Sequence, residues 1–108
     1  MARPITDNLE RHYDTPEEAL GYVITQLRVS KNWPQEYVAE KSGYSQRYFL
    51  RVERGTQNPT YRFMLAVAPL FDLSPSQLLA RAERKHKEGL KKRTSVPAAP
   101  SFKPKKKS

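Results

Sequence analysis

Gln35-Glu36-Tyr37-Val38-Ala39-Glu40-Lys41-Ser42-Gly43-Tyr44-Ser45-Gln46-Arg47-Tyr48-Phe49-Leu50-Arg51-Val52-Glu53-Arg54-Gly55 is the stretch that decides the fold. It reads as two short helices joined by a tight break at Ser42-Gly43-Tyr44. Val38 and Ala39 point inward from the first helix, which runs to about Lys41. Two helices that cross steeply need a small residue at the crossing and a glycine in the turn. Ala39 and Gly43 meet both demands, and Gly43 suits a position of positive φ. Ser45 caps the second helix, Gln46 to about Arg54. Phe49 and Val52, spaced i and i+3, face the core, and Gly55 stops the helix.

Upstream, Thr15-Pro16-Glu17-Glu18 places threonine at the N-cap, proline at N1 and glutamate at N3, a capping box. Leu20, Val23, Ile24 and Leu27 follow as one apolar stripe, so a helix is expected to end near Ser30 or Lys31. Asn32-Trp33-Pro34-Gln35-Glu36 is a turn, with Pro34 expected at the first position of the next helix and Trp33 as a core plug. Downstream, Thr56-Gln57-Asn58-Pro59 is a loop. Thr60 caps a fourth helix with Tyr61, Met64, Leu65, Ala68 and Phe71 inward. Pro69 conflicts with that helix and is expected to kink or end it. Ser74-Pro75-Ser76-Gln77 is a second capping box, opening a fifth helix with Leu78 and Leu79 as its apolar residues. Its far half is too polar for an obvious buried face, and its end falls somewhere up to Lys92. No strand pattern, internal repeat or glycine-rich phosphate loop occurs, so the class is all-α.

The 108 residues suit one domain, and there is no cysteine, which excludes disulfides and thiolate metal sites. Residues 1–80 hold nine basic and nine acidic side chains and are neutral. Residues 81–108 hold eleven basic side chains against Glu83 and Glu88, so the whole net charge of +9 sits there. From Thr94 the chain reads TSVPAAPSFKPKKKS, rich in proline, serine and lysine with little to bury. The expected layout is an N-terminal extension over 1–14, a folded domain over 15–82, and a basic, largely disordered tail over 83–108 whose first part is compatible with helix to about 92. The charged N-terminus does not read as a signal peptide, and no apolar run matches a membrane span. A cytoplasmic, nucleoid-associated location with no membrane partner is the expectation.

Residues 20–79 resemble the lambda-repressor/Cro-type, XRE-like helix-turn-helix family. The resemblance is carried by Leu27-Arg28, by Gln35 through Gly43, by Ser45, by Val52-Glu53-Arg54-Gly55, by Asn58-Pro59-Thr60 and by Leu73-Ser74. It implies a five-helix domain that binds operator DNA, commonly as a dimer. Two residues depart from the family pattern. Pro34 replaces a polar cap, and Pro69 replaces a helix-compatible polar residue.

In such a motif the third helix enters the major groove with its first turn at the base edges. Gln46 and Arg47 occupy that turn, and Arg51 lies one turn further on the same face. By resemblance these three align with base-reading positions, and their chemistry agrees: arginine pairs with guanine and glutamine with adenine. The competing reading is an ordinary solvated helix face. Gln35 aligns with a phosphate contact at a helix N-terminus, against a local capping role. Tyr44 and Asn58 are further phosphate candidates, Asn58 against a turn-stabilising role. Tyr48 reads equally as a core edge, a phosphate contact or a thymine-methyl contact. Glu53-Arg54 suggests a structural ion pair, and Leu50 an isolated exposed leucine. Lys91, Lys92, Arg93, Lys103, Lys105, Lys106 and Lys107 would add sequence-independent affinity for a polyanion.

His12 and His86 are isolated in flanking segments, and no carboxylate pair, nucleophile with base, metal-ligand spacing or cofactor motif stands out. The sequence therefore points to a non-enzymatic, sequence-specific regulator, a repressor on a palindromic operator, with double-stranded DNA and a second copy of the chain as partners. The alternatives are an antitoxin or plasmid or phage regulator whose tail binds a protein, and a protein-interaction module without DNA binding.

Overall fold

The computed structural model describes residues 14–92. Five α-helices follow one another: α1 (Pro16–Ser30), α2 (Gln35–Ser42), α3 (Gln46–Arg54), α4 (Tyr61–Val67) and α5 (Pro75–Lys92), with a 3-10 turn over Ala68–Phe71 between the last two. There is no strand among the described residues.

Local chemistry sets the boundaries. Thr15 Oγ1 accepts from the Glu18 amide at 3.0 Å while the Thr15 amide donates to Glu18 Oε1 at 3.2 Å, so the first capping box is formed. The second forms likewise, with the Gln77 amide donating to Ser74 Oγ at 3.1 Å and the Ser74 amide donating to Gln77 Oε1 at 2.9 Å. Gly43 and Gly55 terminate α2 and α3 at φ of 83° and 79°, where a side chain would be strained. Pro34 does not sit at the first helical position as expected. Its ψ of 161° makes it the N-cap, and its carbonyl accepts from the Tyr37 amide at 3.1 Å. Proline restricts its own φ but leaves ψ free, so it fits the extended cap as readily as the first turn. Pro69 ends α4 as expected, and the chain tightens into the 3-10 turn.

The core unites Leu20, Val23 and Ile24 of α1 with Val38 and Ala39, Phe49 and Val52, Phe63, Met64 and Val67, Ala68 and Phe71, and Leu78 and Ala82. Trp33 packs against it, its ring 5.8 Å from that of Phe71. Two expected core residues of α4 are outside: Tyr61 is 64% exposed and Leu65 47%. The stripe 61/64/65/68 is as regular as the stripe 63/64/67/68 that is actually buried. The aromatic cluster of Tyr44 and Tyr48 decides between them by taking Phe63 as its third ring. Leu79 is also exposed, at 43%. Consecutive helical residues point about 100° apart, and the inner face of α5 belongs to Leu78, Ala82 and Gly89.

α5 runs to the far end of the range that the sequence left open. Its polar half buries small residues, Ala82 and Gly89, as α5 packs along α1. His86, expected to stand alone, is half-buried with its Nε2 2.9 Å from the Asp14 carbonyl. Among the described residues no single helix is long and apolar enough to cross a membrane.

Candidate nucleic-acid interface

α3 is held from both ends and from beneath. Ser45 Oγ accepts from the Tyr48 amide at 3.0 Å, and Gly55 closes the other end. Phe49, Val52 and Glu53 are buried. Gln46, Arg47, Arg51 and Arg54 are exposed. At 3.6 residues per turn these four fall within an arc of about 140°. One side of the helix therefore presents an amide and three guanidinium groups to solvent. Leu50 lies within the same arc but is half-buried.

The buried face carries a charge, which is unusual in a core. Glu53 is 2% exposed and Arg28 of α1 equally so. The Arg28 guanidinium reaches Glu53 as a fork, with Nε 2.6 Å from Oε2 and Nη2 3.0 Å from Oε1. Its remaining arm, Nη1, donates to the Trp33 carbonyl at 2.8 Å. Gln35 completes the set, its Nε2 donating to Glu53 Oε1 at 2.8 Å. A buried ion pair persists only when both charges are also hydrogen-bonded. Here the pair ties α1, the α1–α2 turn, the start of α2 and the end of α3 to one point. The Glu53–Arg54 pair read from adjacency is thus replaced by Glu53–Arg28: Glu53 faces inward while Arg54 faces out.

A second constraint lies beside it. Gly21 of α1 sits so close to α3 that an added Cβ would lie 2.4 Å from the Glu53 carbonyl oxygen and 2.5 Å from that of Val52. Below Gly55, a Cβ would come within 2.6 Å of Glu18 Cγ. α1 and α3 thus meet at backbone contact, and the height of the exposed arc above the core is fixed.

The other candidates are distributed as follows. Tyr44 and Tyr48 are half-buried, stacked on each other at 5.0 Å, and both meet Phe63 edge-on, at 5.0 and 5.4 Å. Burial raises the Tyr48 hydroxyl pKa above its ordinary 10.0, with a further upward push from Tyr44 and a partial offset from a hydrogen bond to the Thr60 backbone. Asn58 is exposed in the loop between α3 and α4. Gln35 stands at the first turn of α2, half-buried and bound to Glu53. Lys91 and Lys92 close α5, while Arg93, Lys103, Lys105, Lys106, Lys107 and His12 lie outside the described residues. Among the described residues no cluster of three or more histidine, aspartate or glutamate side chains could hold a metal ion.

Sequence reasoning missed Arg28 as the partner of Glu53. The signal was present: Arg28 continues the series Leu20, Ile24 at intervals of four, so it lies on the apolar face of α1. A cation in that phase requires a buried anion.

A helix-turn-helix family model matches residues 24–78. Over 62 residues the chain is 32% identical to the HTH-type transcriptional regulator AnsR of Bacillus subtilis, covering 57% of this chain and 53% of that protein. It thus spans about half the length of that relative. The restriction-modification controller protein C.AhdI of Aeromonas hydrophila superposes with a TM-score of 0.55 at 32% identity, over 57% of this chain and 94% of that one. The clp gene regulator ClgR of Corynebacterium glutamicum superposes with a TM-score of 0.65 over 70% of this chain and 81% of that one, and at 24% identity it speaks for the fold alone. With five helices among the described residues, a glycine-broken pair α2–α3 and a match over residues 24–78, the chain belongs to the helix-turn-helix family.

Proposed function

We propose that the protein is a transcriptional regulator, a repressor, that binds double-stranded DNA sequence-specifically by laying α3 in the major groove. Gln46, Arg47 and Arg51 read bases in this scheme. The observation that carries the reading is the division of α3 into a buried side, Phe49, Val52 and Glu53, and an outward arc of amide and guanidinium groups. Those groups are the ones that pair bidentately with adenine and guanine. The similarity to AnsR, a transcriptional regulator, and to C.AhdI, a restriction-modification controller protein, supports a regulatory role.

Gln35, Tyr44, Tyr48 and Asn58 are assigned to phosphates. The Gln35 amide gives one N–H to Glu53 and has a second to offer, at a helix N-terminus that favours anions. The protein acts as a homodimer on an inverted repeat, its two recognition helices about 34–36 Å apart, one turn of DNA. Lys91, Lys92, Arg93, Lys103, Lys105, Lys106 and Lys107 add affinity without sequence preference. The site of action is the nucleoid in the cytoplasm.

Selection of random duplex DNA by the purified chain tests this. An inverted repeat should be enriched, and Arg47→Ala should lose about 1–3 kcal/mol on it and relax the preference at one position per half-site. Recovery of no common sequence, or an unchanged preference for the variant, contradicts the assignment.

A further inference from the structure

A groove of about 360 Å³ opens between the start of α1, the loop after α3, α4 and α5. Leu20, Met64, Pro59 and the exposed Leu79 give it an apolar lining, and two carboxylates, Glu17 and Glu83, stand in it. Neither carboxylate takes part in an ion pair among the described residues. The volume falls in the range of pockets that hold ligands or peptide side chains. An apolar trough with unpaired acids fits an occupant that is apolar and flanked by cations.

We propose that this occupant is the chain's own C-terminal segment, Val96-Pro97-Ala98-Ala99-Pro100-Ser101-Phe102. Three arguments carry it. The segment is apolar and lies between Lys91-Lys92-Arg93 and Lys103, Lys105, Lys106 and Lys107, so its charge complements Glu17 and Glu83. It is within reach. At 1.5 Å per residue, Ala82 and His86 lie about 15 and 9 Å back along α5 from Lys92, and five extended residues after the helix span about 17 Å. Proline-rich sequence is already extended and gives up little entropy on docking. The other end of the chain is a poorer match, because residues 1–13 balance Arg3 and Arg11 against Asp7 and Glu10. Docking on the acidic groove and binding to a polyanion then compete for the same tail lysines. The inference is independent of α3 and stands whether or not that helix reads bases.

The chain has no cysteine, so Ser101→Cys introduces a single attachment point for a nitroxide in the full-length protein. In the 15N-labelled protein, amides of Leu79, Ala82 and Glu83 should lose most of their intensity relative to the reduced label, more than those of α3. Adding Leu79→Arg, at an exposed site where α-helical circular dichroism will be retained, should restore them. Glu83→Lys should do so as well. A loss centred elsewhere, or insensitive to both substitutions, overturns the proposal. So does an equal loss in a mixture of spin-labelled 14N chains with unlabelled-nitroxide 15N chains, which assigns the occupant to a second copy. A groove that responds only to a nitroxide at Ala2→Cys assigns it to the N-terminal segment and overturns the proposal likewise.

Discussion

At the scale of single residues, Arg28 and Glu53 are the one ion pair buried in the core among the described residues. Breaking a buried pair from one side leaves a charge in the core without compensation. Arg28→Met is therefore expected to destabilise the domain by about 3–5 kcal/mol, whereas the double variant Arg28→Met/Glu53→Leu should recover most of that loss. Urea unfolding of the single and double variants reads both numbers, and equal destabilisation by single and double would contradict the pair's role. Gly21→Ala is the second test at this scale. Alanine is ordinarily the better helix former, yet here its Cβ meets two backbone carbonyls that cannot rotate away. A loss of about 1–3 kcal/mol, the usual cost of overpacking, is expected in thermal unfolding. A gain in stability would mean that α1 and α3 are not in backbone contact. Neither interaction could be read from the sequence with its partner. The phase of Arg28 on an apolar face was visible, but the residue 25 positions away that neutralises it depends on how α1 crosses α3, which no local pattern encodes.

At the scale of elements, the caps were legible because each is a local bond between residues three apart. Thr15–Glu18, Ser45–Tyr48, Thr60–Phe63 and Ser74–Gln77 all follow from short motifs. The inner face of α4 was not legible, because two stripes one position apart are equally apolar and only the Tyr44–Tyr48–Phe63 cluster selects between them. That cluster has a measurable consequence. Burial favours the neutral Tyr48 phenol, so its pKa is higher in the folded chain than in the unfolded one. The resulting stabilisation is in full below the unfolded value, near 10.0, and is lost as pH rises through the raised folded value. Stability should therefore decline as pH rises from near 10.0 through the raised folded value, and less so in Tyr48→Phe. Urea midpoints of the two proteins at neutral and strongly alkaline pH check this. A parallel decline would assign the alkaline transition to other groups.

At the scale of the whole molecule, the order of helices was readable from the capping motifs and apolar stripes between Thr15 and Gln77, and the placement of the α2–α3 unit from Gln35 to Gly55 alone. The extent of α5 was not, since a helix that buries alanine and glycine against its neighbour leaves no apolar stripe to see. The candidate site was legible in part. The outward residues of α3 followed from the periodicity of Phe49 and Val52, while the tie between Gln35 and Glu53 required coordinates. In the architecture that results, a fork of hydrogen bonds and a glycine contact tie α3 to α1, and the polar arc of α3 faces solvent.

Whether the polar arc of α3 touches nucleobases is tested by a double-mutant cycle on the selected operator. Arg47→Ala is combined with replacement of the guanine at its assigned position by 7-deazaguanine, which removes only the N7 acceptor. If Arg47 donates to that N7, the two changes should be coupled by about 1.5–3 kcal/mol, the size of one hydrogen bond from a charged donor. Strictly additive losses at every guanine of the site would contradict the account.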